Sequence, residues 1–169
     1  MTASTDDIQI NPAAPDDIPD VVAFVMAARG EMFPMLDPTF MPDDLRHFQR
    51  SYLDEDGGLF LIARHAGQVV GAIGFLPYDG RFPQLHYERR KVVEVVRLFI
   101  DPDFRRLGLA ARLVERLKDL ALMRRVDVLY LHTHPFLNGA IAFWQRQGFA
   151  LIDVEDDPVW RTTHLHWLL

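Results

Sequence analysis

The sequence predicts a mixed α/β fold of the α+β kind, in which helices cover both faces of a mostly antiparallel sheet with one parallel pair. Strand-like apolar runs alternate with amphipathic helical segments along the chain. The run Lys91–Ile100 is apolar on both faces, as is typical of a central strand. Residues 91–132 form a strand, helix, strand unit, whose right-handed crossover makes the fourth and fifth strands a parallel pair.

Length and composition exclude several classes of protein. The chain has 169 residues, no cysteine and a formal net charge of -6, which favours a single domain over residues 1–169. Without cysteine there is no disulfide framework, no cysteine-bound zinc and no acyl transfer through a thiolate. No leader pattern or apolar stretch of ~20 residues is present, so we expect a cytoplasmic protein without membrane contact. The acidic balance also argues against nucleic acid as a partner.

The first predicted elements are a strand and a helix. Ile8 and Ile10 alternate as in a strand. Asp16 can cap the helix that follows, Pro19 suits its first turn, and Gly30 is expected to end it.

A second helical segment and a hairpin follow. The apolar residues after Pro42 have helical spacing; they are Leu45, Phe48 and Tyr52. Leu59–Ala63 and Val69–Leu76 are strand-like runs, and the Ala66-Gly67 pair between them is a hairpin signature.

The C-terminal half begins with the most periodic segment of the chain. An apolar stripe predicts a long helix, its members being Leu109, Leu113, Leu117 and Leu120. Val126–His132 predicts the fifth strand. A shorter helix starts near Asn138, which can cap it, and stops at Gly148. Two antiparallel strands complete the sheet, Ala150–Val154 and Val159–Leu168.

The join between the fourth strand and the long helix breaks two local rules. Arg105 and Arg106 stand beside the positive end of a helix dipole, where cations are disfavoured. Gly108 lies at the helix opening, where alanine would favour the helix by about 1 kcal/mol. Both features fit a bound anion, because N–H groups, guanidinium groups and uncrowded backbone converge on a phosphate. The alternative is a basic, solvated turn with a small residue for packing.

The same stretch carries a family resemblance. The hexapeptide RRLGLA, residues 105–110, fits the signature Arg/Gln-x-x-Gly-x-Gly/Ala between a strand and a helix. Three longer segments resemble the corresponding family elements: INPAAPDDIPDVVAFV the first strand and helix, VVEVVRLFIDPDFRRLGLAARLVERL the fourth strand and third helix, and AIAFWQRQGF the fourth helix. Most of the chain therefore resembles the GCN5-related N-acetyltransferase (GNAT) superfamily.

The resemblance implies acetyl-CoA as co-substrate and no metal. The pyrophosphate would lie on the backbone of the helix opening, and the pantetheine arm beside the fourth strand, where the fourth and fifth strands separate. The residues so assigned are Leu98, Phe99, Ile100, Arg105, Arg106, Leu107, Gly108, Leu109, Ala110 and Ala111. Asn138 and Trp144 are added at the fourth helix. Trp144 stands where many members carry a tyrosine near the sulfur, and indole cannot usefully give up a proton.

A direct transfer needs a base for the amine proton and an N–H group for the oxyanion. Glu94 is the candidate base, because it is the only acid within Val92–Val96, where desolvation is expected to raise its pKa. Many family members also carry a glutamate there. The alternatives are a water-mediated base, a solvated side chain, or an ion pair with Arg97, Arg89 or Arg90. If the geometry of the family applies, the N–H of Leu98 is the oxyanion donor.

Several further residues are conspicuous. His132 and His134 share one face of a strand but lack a third ligand, so no metal site is predicted. His164 and His166 are interpreted as a polar outer face of the last strand. Pro77–Arg90 is predicted to be a long loop that contacts the acceptor or a second copy of the chain in a homodimer.

These observations predict an acyltransferase that moves an acetyl group from acetyl-CoA to a primary amine of a small molecule or peptide. The reaction would proceed by direct attack in a ternary complex. The alternative is a CoA-binding sensor or interaction module with the same fold and little or no turnover, an interpretation that the missing tyrosine keeps open.

Overall fold

The computed structural model describes residues 5–169 and has one seven-stranded sheet with four α-helices. The strands are β1 Gln9–Pro12, β2 Leu59–His65, β3 Gln68–Pro77, β4 Val92–Ile100, β5 Val128–Thr133, β6 Ala150–Val154 and β7 Thr163–Leu168. The helices are α1 Ile18–Met32, α2 Asp43–Arg46, α3 Leu109–Met123 and α4 Ala140–Arg146. The strand order is β1-β2-β3-β4-β5-β7-β6, with β4 fourth of seven, as predicted for a central strand.

The strand directions confirm the predicted fold class. β4 and β5 are parallel, whereas β1 with β2, β2 with β3, β5 with β7 and β6 with β7 are antiparallel. The predicted hairpin between β2 and β3 is also confirmed. Ala66 and Gly67 both have positive φ, 49° and 82°, the conformation that matches the twist of two directly joined strands.

The chain divides into two units. The first unit contains the chain up to Leu76 together with Val96–Leu117, and the second contains Pro77–Val95 together with Lys118–Leu169. β4 contributes its first four residues to the second unit and the remainder to the first.

In the first unit, helices cover both faces of the sheet. Neighbouring residues of β3 point to opposite faces, so Gly71 and Ala72 report on the two sides. Ala72 belongs to an apolar core with Val21 and Val25 of α1. A Cβ on Gly71 would instead lie 3.3 Å from Leu113 of α3. The three apolar residues predicted to form a helical face after Pro42 belong to the same core as Ala72: Leu45, Phe48 and Tyr52.

Three helix predictions for the first unit need correction. Asp17 rather than Asp16 precedes α1, because a 3₁₀ turn occupies Pro15–Asp17. Gly30 does not end α1, which continues to Met32, since glycine permits a left-handed end but does not impose one between good helix formers. The second helical segment is split into α2 and a π-helical turn at Gln49–Leu53.

In the second unit, the loop of residues 78–91 has no helix or strand, as predicted. Gly148 follows α4 with φ 92°, as expected for a glycine beyond a helix end. β7 begins at Thr163 instead of Val159, because the Asp157 carboxylate accepts hydrogen bonds from the Val159 and Trp160 N–H groups and turns the chain there. Across residues 5–169, no helix combines the length and apolar character needed to cross a membrane.

Candidate active site

Backbone conformation shapes the segment that leads into α3, which we call the opening of α3. A 3₁₀ turn at Pro102–Phe104 follows β4, and the Asp101 carboxylate caps it by accepting a hydrogen bond from the Asp103 N–H at 2.9 Å. Arg106 and Gly108 then adopt positive φ of 64° and 74°, and α3 begins at the next residue. The first bond of its ladder runs from the Arg112 N–H to the Gly108 carbonyl oxygen, 3.1 Å. The N–H groups of residues 109–111 precede that ladder, as at any helix start.

The surface at this opening fits a phosphate-containing ligand. Arg105, Arg106 and Gly108 are exposed. A Cβ on Gly108 would meet no heavy atom within 4 Å, so packing does not require glycine there. The alternative of a small residue needed for packing is therefore wrong. Glycine is favoured here by the left-handed backbone conformation. Its missing side chain leaves open space above the first N–H groups of the helix.

The end of β4 is held by a half-buried ion pair in the first unit. Arg97 has φ 59°, so the strand is bent immediately before Leu98. Its guanidinium donates to both carboxylate oxygens of Asp44, at 2.7 and 3.1 Å, and the Tyr52 hydroxyl donates to the same carboxylate at 2.6 Å. Burial raises the pKa of Asp44, but the hydrogen bonds and charge of Arg97 outweigh it and hold that pKa below its ordinary value.

The residues assigned to the pantetheine arm follow this bend. Leu98 and Ile100 are half-buried, whereas Phe99 is 7% exposed and its side chain belongs to the core of the first unit. Phe99 can therefore offer a ligand only its backbone. The parallel β4–β5 register covers Val92–Glu94 against Val128–Tyr130.

Glu94 lies in that paired part of β4, in the second unit, and its surroundings differ from the prediction. Two parallel hydrogen bonds reach its carboxylate from Arg81, Nη1 to Oε1 at 2.7 Å and Nη2 to Oε2 at 2.9 Å. His132 Nδ1 lies 3.4 Å from Oε2. The carboxylate is buried, with 8% of its side chain exposed.

The expectation of a raised pKa at Glu94 is wrong. Burial does raise it, but the contacts with His132 and Arg81 outweigh burial and lower the pKa from its ordinary 4.5 to about 2. The predicted structural partners are wrong as well, since Arg97 pairs with Asp44 and the guanidinium at Glu94 comes from Arg81 in the 78–91 loop. The role of Glu94 in catalysis stays a prediction.

The 78–91 loop contacts side chains of β5 and β7 that share one face. Phe82 packs edge-on against the rings of Tyr130, His132 and His164, with centroid separations of 6.2, 5.7 and 4.7 Å. His164 is fully buried, so its interpretation as part of a polar outer face is wrong. The register explains this: His132 pairs with His164 across β5 and β7, beneath Phe82.

At the fourth helix, the structure differs from the prediction for Asn138. Asn138 is exposed and lies in the turn before α4, whose first cap residue is Gly139 with φ 78° and no side-chain hydrogen bond. The expectation that Asn138 caps this helix is therefore wrong, because a left-handed glycine comes between them. Trp144 is 7% exposed and packs against Phe143 and Phe149, with 5.1 Å between ring centroids in each case. Contacts of Asn138 and Trp144 with the cofactor stay predictions.

Two residues that contact Glu94 are not predicted from the sequence. They are Arg81 and His132. Arg81 lies 13 residues before Glu94, in a loop without periodicity. The sequence marks His132, which also contacts Glu94, only as a possible metal ligand. Within residues 5–169, no three His, Asp or Glu side chains are grouped as a metal site.

Comparison with known proteins identifies the family. The profile of the Acetyltransferase (GNAT) family matches residues 23–149, so the chain belongs to that family. It is 33% identical to human N-acetyltransferase 8 over 124 residues, which is 73% of this chain and 52% of the human protein. The chain thus spans about half the length of these curated N-acetyltransferase 8 relatives.

Solved structures share the fold at lower identity. A GNAT-family acetyltransferase from Staphylococcus aureus superposes with a TM-score of 0.75 at 20% identity, covering 96% of this chain and 99% of that one. An N-acetyltransferase from Thermoplasma acidophilum in complex with coenzyme A has a TM-score of 0.64 at 13% identity, covering 96% and 99%.

Proposed function

We propose that this protein transfers an acetyl group from acetyl-CoA to a primary amine of a small molecule or peptide. One observation carries the proposal: the opening of α3 combines exposed Arg105 and Arg106, a left-handed Gly108 with open space above it, and the first N–H groups of a 15-residue helix. Those groups suit a pyrophosphate, and membership of the GNAT family connects that pyrophosphate with CoA.

The parts of the cofactor are assigned to separate stretches of chain. The pyrophosphate lies on residues 105–111, and the pantetheine arm follows the backbone of residues 98–100. The N–H of Leu98 is the proposed oxyanion donor. The left-handed Arg97 supports that role, because such a residue interrupts the regular strand geometry immediately before it.

The transfer is direct in this proposal. The amine attacks the thioester carbonyl carbon without a covalent enzyme intermediate, since the chain has no cysteine to carry the acyl group. Glu94 assists the removal of the amine proton. Its pKa of about 2 makes it a permanent anion at neutral pH and a weak direct proton acceptor, so its contribution is electrostatic.

The test uses the purified protein, acetyl-CoA and a panel of polyamines, aminoglycosides, arylalkylamines and peptides with free N-termini. We expect at least one amine to raise the release of free thiol well above hydrolysis without acceptor, with a matching acetylated product by mass spectrometry. If CoA binds tightly but no amine raises thiol release, the protein is a CoA-binding module instead. Failure to bind CoA would overturn the cofactor assignment itself.

A further inference from the structure

Four histidines lie on or beside strands β5 and β7, and three of them have a ring nitrogen in a hydrogen bond. The three pairs are His134 with the Trp160 carbonyl oxygen, His164 with the Tyr130 hydroxyl and His166 with the Tyr87 hydroxyl, at 3.1, 2.6 and 2.7 Å. Burial lowers the pKa of each of these three imidazoles. They are therefore neutral groups with structural partners.

His132 differs from the other three. Its Nδ1 is buried and faces the Glu94 carboxylate at 3.4 Å, an ion-pair distance; in the part of the chain that the structure describes, this nitrogen has no formed hydrogen bond. The side chain is nevertheless 29% exposed. Catalytic hydrogen bonds are often long without substrate and shorten when it binds.

The charge of Glu94 decides how this ring can act. Arg81 saturates one side of the carboxylate and keeps it ionised, so a fixed negative charge stands opposite Nδ1. A carboxylate opposite Nδ1 favours the tautomer that carries its proton on that nitrogen, which leaves the lone pair on Nε2. The lone pair on Nε2 is then available to accept a proton.

We propose that His132 is the group that accepts the proton of the acceptor amine and that Glu94, held by Arg81, is its positioning residue. This inference rests on the proposed acetyl transfer. The neutral amine forms a C–N bond with the thioester carbon and gives a proton to Nε2 of His132. The C–S bond breaks with its electron pair on sulfur, the thiolate takes a proton from water, and the imidazolium returns its proton to water.

The groups that face His132 define the pH dependence. They come from β4, the 78–91 loop, β5 itself and β7, and they are Glu94, Arg81, Tyr130, His134 and His164. Glu94 is the only one of these five that bears a negative charge at neutral pH. Glu94 is therefore the group whose removal should change the rate profile most.

The test compares His132→Gln, Glu94→Gln and, as a matched control on the neighbouring strand β7, His166→Gln. With the best amine of the panel, we expect His132→Gln to lower kcat by 10²- to 10⁴-fold, the usual contribution of a general base, with less than a threefold change in KM for acetyl-CoA. The acid limb of kcat/KM should disappear. Glu94→Gln should keep that limb with a lower rate, and His166→Gln should match the wild type. Added imidazole should partly restore His132→Ala.

The opposite pattern overturns the inference. If Glu94→Gln abolishes the acid limb while His132→Gln retains it, Glu94 is the base. If His132→Gln has the wild-type rate and profile with active wild-type enzyme, the inference fails and the acetyltransferase function stands. If the wild type binds CoA but acetylates no amine, both fail. Circular dichroism and thermal melting of each variant separate a lost base from a lost fold, and a folded His132→Ala without imidazole rescue also counts against His132.

Discussion

The opening of α3 and the Glu94 site use charge in opposite ways. At the opening, backbone N–H groups and exposed Arg105 and Arg106 present positive charge to solvent. At Glu94, side chains from three separate segments bury one negative charge, with two hydrogen bonds from Arg81 and an ion-pair contact from His132. An exposed backbone site should respond to salt and to an added Cβ, whereas a buried side-chain site should respond to pH and to isosteric loss of charge.

The strongest test of this difference reverses the exposed charge. Paired Arg105→Glu and Arg106→Glu substitutions change the charge by four units, and each unit is worth about 1 kcal/mol at 4 Å even in water. We expect CoA affinity to fall by roughly a thousandfold, measured by isothermal titration calorimetry. The matched control is Arg124→Glu with Arg125→Glu, an exposed arginine pair at the other end of α3. Equal losses in the two pairs would mean that net charge, not a local site, attracts CoA.

The buried charge should be visible as acid-dependent stability. The pKa of Glu94 is lower in the folded protein than its ordinary 4.5, so its contribution is complete above that value and is lost as pH falls toward about 2. The shift corresponds to up to about 3 kcal/mol at neutral pH. Urea unfolding at several pH values should show wild type more stable than Glu94→Gln at pH 7, with the gap closing between pH 5 and 2. A gap independent of pH would contradict the ion pair.

A smaller effect separates backbone strain from ligand contact. Gly108 and Gly139 have almost the same φ, 74° and 78°, each precedes a helix, and a Cβ on either meets no heavy atom within 4 Å. Alanine at either position should cost about 1 kcal/mol of stability, because left-handed backbone disfavours side chains. Only Gly108→Ala should also weaken CoA binding, by about tenfold, through crowding of the phosphate. Equal CoA affinities of the two variants would count against the phosphate site.

The smallest expected effect comes from salt. Raising KCl from 0.05 to 0.5 M should weaken CoA binding severalfold, because exposed charges are screened within a few ångströms at high ionic strength. The acid limb of the rate profile, which depends on the buried carboxylate, should move little. The Arg105 and Arg106 double variant is the control, since it should lose most of the salt dependence. A strong salt shift of the acid limb would mean that Glu94 is more accessible than its burial indicates.

The two sites also differ in how far sequence predicts them. The opening of α3 is contiguous, so local rules identify Arg105, Arg106 and Gly108 without knowledge of the fold. The Glu94 site joins residues 81, 94 and 132 through a loop and two strands. Sequence could place Glu94 in a buried strand, but the sign of its pKa shift depends on partners that only the folded chain supplies.

The same distinction explains the other corrections. The central position of β4, the hairpin and the parallel pair were predictable, because hydrophobic patterning and the strand, helix, strand connection indicate them. Gly30 stays inside α1 because glycine alone does not end a helix. His164 is buried because Phe82, 82 residues earlier in the chain, packs over it. Long-range contacts of this kind leave no local pattern in the sequence.

The ion pair between Arg81 and Glu94 should also affect proteolysis. Trypsin must take an arginine side chain into its own binding pocket, so it can cut after Arg81 only when the guanidinium has left Glu94. Arg89 and Arg90 are exposed on the same loop, so cleavage after them provides an internal reference. The ratio of the two cuts therefore measures how often the Arg81–Glu94 ion pair opens, without any cofactor or acceptor. Limited trypsin digestion thus reports on the opening of this ion pair.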